Sequence, residues 1–372
     1  MNRNITFPIY KLWRIKIIPI TDIFWISFGF LMFMPIEIFV GSGLFFAYFQ
    51  ILTLFILSKR ISKVRLSIFF LLCSIIVLST IAGDEIRLTS LINPIVIGIA
   101  LMINIESEHK AYMIKQGIYI SAIANTFLLM YVLSQANLST LYAMLTTRDW
   151  AADSIPWFGN GLAMSFALAM LFAAKDRNWK LLLIIVIGGI LTTSRVPIFS
   201  VAIISFFYVA RSISFKNLMN IIFIGILASF AFLTIFTNYN LAEQVDGILD
   251  RFMYASDRFE VYILALSEIV ENPILGAGSK NLDYFFHAHN SYLQITYKYG
   301  VFAFALWFSL IYLSLLRGLI SFKHLDFILI FGLITFFQIG LLNPSLILQL
   351  IIFRYFYSKK NPKQRKDLEY DR

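Results

Sequence analysis

Cysteine, histidine and charged residues are all scarce in this 372-residue chain. The single cysteine, Cys73, excludes a disulfide framework and a thiolate metal site, and its place within an apolar run indicates a small buried side chain. Charged residues make up 14% of the chain and hydrophobic residues 59%, which excludes an ordinary soluble domain of this length. The composition therefore predicts an integral membrane protein.

The N-terminus also lacks the pattern of a cleaved signal peptide. Basic residues Lys11, Arg14 and Lys16 lead directly into a full-length apolar segment. We expect this first span to be retained as a signal-anchor.

Apolar runs near the length needed to cross about 30 Å of hydrocarbon recur along the chain and predict about twelve spans. They lie at 20–37, 41–58, 66–82, 90–105, 111–133, 156–174, 180–194, 196–210, 217–236, 291–316, 324–341 and 344–357. The pair at 180–194 and 196–210 is interpreted as a hairpin because Pro197 follows a short turn, with one long kinked helix as the alternative. The predicted fold is all-α: a polytopic membrane helix bundle forming one integral membrane domain, 1–372.

The positive charge of the chain follows its predicted topology. The net charge is +10, and all but seven of the 31 Lys and Arg residues fall in the tails and in loops on one side. By the positive-inside rule this side is cytoplasmic, with both termini and the basic tail 358–372. The basic residues therefore need no nucleic acid partner, although the tail can also contact anionic lipid.

Two predicted outer loops are long, at 134–155 and 237–290. The second contains a helical pattern, since Asp257 can cap the run "RFEVYILALSEIVE" and Asn272-Pro273 ends it. Apolar residues share one face of this run, which predicts an amphipathic helix on the membrane surface or against the bundle.

Cations are rare on the predicted outer side, so the few that occur there are candidate anion ligands. Arg195 is placed at the tip of the hairpin, where an arginine is costly without an anionic partner, although its side chain can instead reach the headgroups. Arg258 opens the loop helix, against the helix dipole, and either binds an external anion there or pairs with Asp257. Arg148 is a weaker candidate because Asp149 lies beside it.

Two of the four histidines, His287 and His289, lie in "HAHNSYLQITYKYG" at the start of the predicted span 291–316. Only Asp283 stands nearby as a third ligand, so the pattern favours no metal site. An imidazole can act as a general base on an attacking hydroxyl. Asn290 and Gln294, one helical turn apart, can hold sugar hydroxyls or the backbone. A base beside arginines at a membrane face indicates group transfer from a lipid-borne phosphate or diphosphate.

The sequence "HNSYLQITYKYGVFA" resembles the signature of the O-antigen ligase and polymerase superfamily. His289 and Asn290 are followed by Gly300, whereas Ala303 stands where the family has a second glycine. The upstream segments "DRFEVYILALSEIVENPILGAGSKN" and "TTSRVPIF" look like the arginine-containing loop helix and the Ser-Arg element of that family.

The resemblance implies a GT-C-like bundle in the bacterial inner membrane, with its active face in the periplasm and both long loops periplasmic. The implied substrate is an undecaprenyl-diphosphate-linked glycan, transferred without metal or other cofactor. His289 would deprotonate the acceptor, and Arg195 and Arg258 would bind the donor diphosphate. Arg148, His287, Asn290 and Gln294 complete the candidate substrate contacts. A chain-length regulator and a flippase of the same pathway are the implied partners.

Three functions fit these features, and polymerisation of O-antigen or related repeat units is favoured. An O-antigen ligase, which transfers glycan to lipid A core, is the main alternative. A lipid-linked oligosaccharide flippase is disfavoured because its transport path needs ionisable residues within the spans, and here they cluster at one face.

Overall fold

The computed structural model is all-helical over the part of the chain that it describes. The described residues are 19–33, 43–58, 61–83, 88–105, 107–135, 160–192, 194–212, 256–278, 290–317, 319–320, 324–336 and 342–357. The predicted span 217–236, the first long loop beyond residue 135 and the basic tail 358–372 lie outside them.

Twelve α-helices follow one another along these segments. They are α1 (Ile20–Phe33), α2 (Gly43–Ile56), α3 (Lys63–Ala82), α4 (Leu88–Met102), α5 (Glu108–Ser134), α6 (Asn160–Lys175), α7 (Trp179–Leu191), α8 (Arg195–Ser212), α9 (Ser256–Glu271), α10 (Ser291–Ile311), α11 (Leu325–Phe336) and α12 (Pro344–Tyr357). Helix α10 continues as a π-helical turn, Tyr312–Leu316.

Polar contacts place the beginnings of α5 and α11 and the ends of α6 and α12 together at one end of the bundle. The turn after α6 binds the last residue of α12 and the first third of α5, because Asp176 accepts hydrogen bonds from Tyr357 (2.5 Å) and from Lys115 (2.7 Å). The start of α11 joins them through the ion pair of Lys175 and Asp326 (2.7 Å). We call this the basic end, and the opposite one, where α7 ends and α8 and α10 begin, the far end.

Three helices are long and apolar enough to cross a membrane by themselves: Lys63–Ala82, Glu108–Ser134 and Ser291–Leu316. The other apolar helices have 10 to 17 described residues each. Together with the apolar composition they make the chain a membrane protein. The total of about twelve spans stays a prediction.

Small residues allow the close packing of α1 against α5. A Cβ on Gly29 would overlap the backbone of Ile114, and a Cβ on Gly117 would overlap the carbonyl oxygen of Ile26. Glycines let two membrane helices approach until their backbones touch, which increases van der Waals contact where no hydrophobic force draws helices together.

The segment 179–212 forms two helices with a sharp turn between them, as the hairpin prediction requires. A Cβ on Gly189 would lie 2.9 Å from the Cβ of Pro197. In a continuous helix residues eight apart are separated by about 12 Å. The chain therefore reverses between Leu191 and Arg195, and both α7 and α8 pack against α6.

The turn after α6 carries a charged group that holds several helices together at the basic end. Besides Lys115 and Tyr357, Asp176 accepts a hydrogen bond from Tyr119 (2.8 Å). The Lys115 side chain is 7% exposed and that of Asp176 27% exposed. A charge this well shielded depends on its partner, because neither water nor headgroups replace it fully.

We expect Asp176→Asn to lower the stability of the purified protein by about 3 kcal/mol, since it leaves the Lys115 ammonium buried without a counter-charge. A thermal unfolding curve in detergent measures the change. Lys180→Gln, which removes an exposed charge at the same end, serves as the control and should unfold within about 0.5 kcal/mol of the wild type. Equal stability of both variants would contradict a supporting role for Asp176.

Candidate active site

The helix that follows the His-Asn motif begins with a capped N-terminus. Asn290 has an extended backbone (φ −138°, ψ 119°), and its Oδ1 accepts hydrogen bonds from the N–H groups of Tyr292 (2.9 Å) and Leu293 (3.1 Å). This satisfies N–H groups that have no partner inside the helix. Asn290 is 7% exposed. The structure thus assigns Asn290 a role in starting α10, directly after His289, which lies outside the described residues.

Tyr292 fastens the start of α10 to the end of α11. Its hydroxyl shares a hydrogen bond of 3.0 Å with the Thr335 hydroxyl. The ring lies 4.8 Å from that of Phe336 and 6.2 Å from that of Phe304, measured between centroids. Polar and aromatic contacts together fix the direction of the first turn of α10.

Gln294 lies one turn beyond Asn290 and is 1% exposed. It already has an interaction partner within the protein. The structure places this side chain in the interior of the bundle, and its predicted contact with a sugar stays a prediction.

Helix α10 is broken at Gly300, where φ is 82° and ψ is 174°. This region of backbone space strains residues that carry a Cβ. A Cβ here would also overlap the carbonyl oxygen of Ile274. Next to the break, the N–H of Val301 donates to the carbonyl of Pro273 (2.9 Å). Two independent constraints, conformation and space, require glycine at position 300.

The turn that follows the loop helix fills the break in α10. The N–H groups of Ala277 and Gly278 donate to the carbonyls of Tyr297 (2.8 Å) and Lys298 (3.0 Å). Gly276 and Gly278 have φ of 69° and 62°, so both use the backbone freedom predicted for the tight turn. The kink deprives these two carbonyls of their hydrogen bonds within the helix, and the N–H groups of the turn replace the missing donors.

The end of α3 also contacts the place where the turn 272–278 meets the break in α10, which we call the junction at Gly300. The Ser79 hydroxyl donates to the Lys298 carbonyl at 2.7 Å. A Cβ on Gly278 would lie 2.9 Å from the Ser79 carbonyl oxygen. The turn 272–278 is therefore held between two membrane helices and positions the end of α9.

Helix α9 lies along the first half of α10. Val261 and Ala265 are buried in one cluster with Tyr297 of α10 and Ala277 of the turn, and Leu293 of α10 packs against it. Since the turn meets α10 at residues 297–301, α9 extends from there beside the first turns of α10. Its N-terminal turn, which contains Arg258, belongs to the far end.

The opposite face of α9 is apolar and exposed. Ile263, Leu266 and Val270 are 66%, 51% and 79% exposed. The amphipathic helix predicted for this loop is thus present, and it contacts the bundle through Val261 and Ala265. The three exposed residues belong to the face that the sequence assigns to the membrane surface or the bundle.

Arg195 is also at the far end, as the first residue of α8. It is half-buried and already interacts with another group of the protein. Thr192 and Ser194, in the turn before it, are buried. Arg195, Arg258 and Asn290 therefore each lie in the first turn or at the cap of a helix, and all three lie at one end of the bundle.

The remaining candidates, His287, His289 and Arg148, lie outside the described residues, as does the side chain of Arg258. Within the part of the chain that is described, no group of three or more His, Cys, Asp or Glu side chains could hold a metal ion.

The family model described as O-antigen ligase matches residues 180–308. This stretch runs from α7 through the kinked helix α10, and it contains the hairpin, the loop helix and the inserted turn. Residues 180–308 therefore form a domain of the O-antigen ligase and polymerase superfamily. No curated protein matches it.

The superfamily domain includes every candidate site residue except Arg148, which precedes it. Members of this superfamily are glycosyltransferase-like enzymes. Ala303, which replaces the second glycine of the superfamily signature, is fully buried in the core. A methyl group is thus accommodated one turn beyond the break.

Sequence patterns do not predict three of the contacts made by the O-antigen ligase domain. These are the hydrogen bond between Tyr292 and Thr335, the hydrogen bond between Ser79 and Lys298, and the insertion of residues 272–278 into the break in α10. Tyr292 and Thr335 are 43 residues apart, and Ser79 and Lys298 are 219 apart. One signal was available. Two glycines after the loop helix and one inside a span each indicate an unusual backbone.

Proposed function

We propose that this protein polymerises undecaprenyl-diphosphate-linked oligosaccharide repeat units of O-antigen or a related surface polysaccharide, at the periplasmic face of the bacterial inner membrane. The observation that carries the proposal is the convergence at the far end. The first residue of α8, the first turn of α9 and the cap of α10 all lie within the superfamily domain and carry Arg195, Arg258 and Asn290.

In the proposed reaction the His289 imidazole accepts the proton of an acceptor hydroxyl. The hydroxyl oxygen then forms a bond to the anomeric carbon of the donor sugar, and the bond from that carbon to the diphosphate oxygen breaks. Arg195 and Arg258 stabilise the negative charge that develops on the leaving diphosphate. Attack from the face opposite the diphosphate inverts the anomeric centre. Neither a metal nor another cofactor has a step in this proposal.

The rigid junction around Gly300 supports this assignment of roles. It couples the loop helix, with Arg258 near its start, to the membrane helix that begins beside His289. Groups that act on the same bond must keep their relative positions within a fraction of an ångström to a few ångströms. Backbone hydrogen bonds from an inserted turn provide such a coupling without depending on side-chain conformation.

A ligase is the second candidate function, since it uses the same donor and differs in the acceptor, the sugar of lipid A core. A flippase is less favoured. Among the described residues, the buried charged side chains are Asp22, Arg65, Lys115 and Asp326. All four lie in the part of the bundle next to the basic end, with Lys115 the furthest along its helix, so they form no ionisable path between the two ends.

The glycan profile of a deletion strain separates these functions. For a polymerase, a single repeat unit remains attached to lipid A core and the long-chain ladder disappears. Loss of all attached glycan with accumulation of long lipid-linked chains would indicate the ligase. Accumulation of single repeat units on the cytoplasmic leaflet would indicate the flippase and contradict glycosyl transfer.

We expect Arg195→Lys and Arg258→Lys each to lower polymerising activity by about 10- to 100-fold, because a lysine ammonium cannot replace two parallel hydrogen bonds from a guanidinium to a diphosphate. The rate of repeat-unit addition in membranes measures the effect. Arg177→Lys, at an exposed turn of the basic end, is the matched control. Unchanged rates in both test variants would contradict diphosphate binding by these arginines.

A further inference from the structure

The basic end contains three arginines that have no role in the proposed reaction. Arg65 lies near the start of α3, Arg354 in the last turn of α12 and Arg317 directly after the π-helical turn. Helix α12 packs against both α4 and the π-helical turn. The charges of Arg65 and Arg317 both act on Arg354. We call these three residues the arginine cluster.

Neutral acceptors form hydrogen bonds with only some of the N–H donors in the arginine cluster. Arg65 donates to the Leu101 carbonyl (3.2 Å) and to Asn104 Oδ1 (2.8 Å). The Nε of Arg354 is buried and has no hydrogen-bond partner. A guanidinium nitrogen withdrawn from water without an acceptor is unfavourable, and more so beside two like charges.

The aspartates of the basic end do not neutralise this cluster, because each is engaged elsewhere. Asp22 contacts His109 (2.7 Å), Asp176 binds Lys115 (2.7 Å), and Asp326 binds Lys175 (2.7 Å). Within the described residues no acidic side chain forms an ion pair with Arg65, Arg317 or Arg354. The cluster thus carries three positive charges that no described acidic side chain neutralises, as expected of an anion site.

Its surroundings favour a lipid as the source of the anion. Asn104, the acceptor for Arg65, also lines a cavity of about 240 Å³. The cavity walls are largely apolar and include Trp25, Leu54 and Ile114. A phosphate group next to apolar chains matches this combination, and basic pockets between membrane helices are known binding sites for anionic headgroups.

We propose that the arginine cluster is a binding site for the phosphate headgroup of an anionic phospholipid in the leaflet at the basic end. The site is separate from the proposed reaction site, which lies at the far end. Its occupant supplies the negative charge that holds α3, α12 and the π-helical turn together. Its existence does not depend on which glycan the protein transfers.

The test uses the purified full-length protein in a neutral detergent, titrated with phosphatidylglycerol and analysed by native mass spectrometry. We expect one phosphatidylglycerol to be retained per chain, and phosphatidylcholine not to be retained. Arg317→Gln changes an exposed residue and should weaken retention about tenfold, the effect of losing one charge-assisted hydrogen bond. Arg354→Gln should weaken it further. Lys180→Gln, an exposed residue at the same end, should bind as the wild type does.

Several outcomes would overturn the proposal. Equal retention by the wild type and Arg317→Gln would show that the cluster does not bind the lipid. Full displacement by millimolar inorganic phosphate would identify a free phosphate site instead. Binding that begins only when residues 358–372 are removed would show that the acidic residues of the tail occupy the cluster.

Discussion

Replacement of Gly300 by alanine is expected to remove most of the folded protein. The new Cβ would overlap the carbonyl oxygen of Ile274, and the backbone at φ 82° would be strained even without that overlap. Relief of the overlap separates the inserted turn from α10 and breaks its hydrogen bonds to Tyr297 and Lys298. We expect a loss of about 4 kcal/mol or more, among the largest effects of a single substitution. The yield and thermal unfolding of the protein in detergent measure it.

Gly332→Ala provides a matched control for this experiment. Gly332 lies inside α11, and a Cβ added there would meet no atom within 4 Å. The same substitution should therefore leave the yield unchanged and raise the helix propensity by about 1 kcal/mol. Similar behaviour of the two variants would contradict the account of the junction at Gly300.

Replacement of His289 by alanine is expected to abolish chain elongation while the protein remains folded. A general base contributes about 10²- to 10⁴-fold to the rate of a proton-transfer step. The acceptor hydroxyl would then have to attack without losing its proton to the enzyme. Binding of the donor should persist, because the proposed mechanism assigns the diphosphate contacts to Arg195 and Arg258. The maximal rate should fall while the donor concentration for half-maximal rate changes little.

His109→Ala is the control for His289→Ala. His109 is at the basic end, where it contacts Asp22 from an exposed position. Its loss should affect the rate less than twofold, since His109 lies at the end of the bundle opposite the proposed reaction site. An unchanged elongation rate in the His289 variant would show that another group accepts the proton.

Much of the fold follows from the sequence because apolar runs and turn residues act locally. The segments predicted at 66–82, 90–105 and 111–133 correspond to helices Lys63–Ala82, Leu88–Met102 and Glu108–Ser134. The break before Pro197 separates two helices, as proline and a short polar turn predict. The loop helix ends at Glu271, before Asn272-Pro273. In each case the signal lies within a few residues of the feature.

The junction at Gly300 was beyond sequence reasoning because its partners come from distant parts of the chain. A glycine within a span indicates close packing or a kink, but it does not show that residues 272–278 insert there. Ser79 is an ordinary small polar residue in an apolar run, and only the folded chain brings it to Lys298. Pairings of this kind depend on the packing of the whole bundle.

Charges at the basic end show the same limit. The positive-inside rule explains why lysines and arginines accumulate on one side, but it treats them as a total. In the structure Lys115 has a dedicated partner in Asp176, whereas Arg317 and Arg354 form no ion pair with any described residue. The role of each lysine or arginine depends on which helix ends meet at the basic end, and the sequence does not show this.

The candidate site was predicted mainly by the resemblance to a family and only partly by local chemistry. Arginine and histidine at the end of a membrane span indicate a reaction with a charged lipid. The structure adds that Arg195, the start of the Arg258 helix and Asn290 lie at one end of the bundle. It also assigns Asn290 a capping role, which an asparagine before an apolar run predicts as readily as a sugar contact.

The most direct test of glycosyl transfer uses the purified protein with a synthetic lipid-diphosphate-linked repeat unit and a metal chelator. We predict elongated lipid-linked product and one released lipid diphosphate for each linkage formed, at the same rate with and without the chelator, and no product from His289→Ala. Failure to elongate the donor, together with transfer only when lipid A core is added, would contradict the polymerase assignment. Complete loss of activity with the chelator would contradict the proposed mechanism.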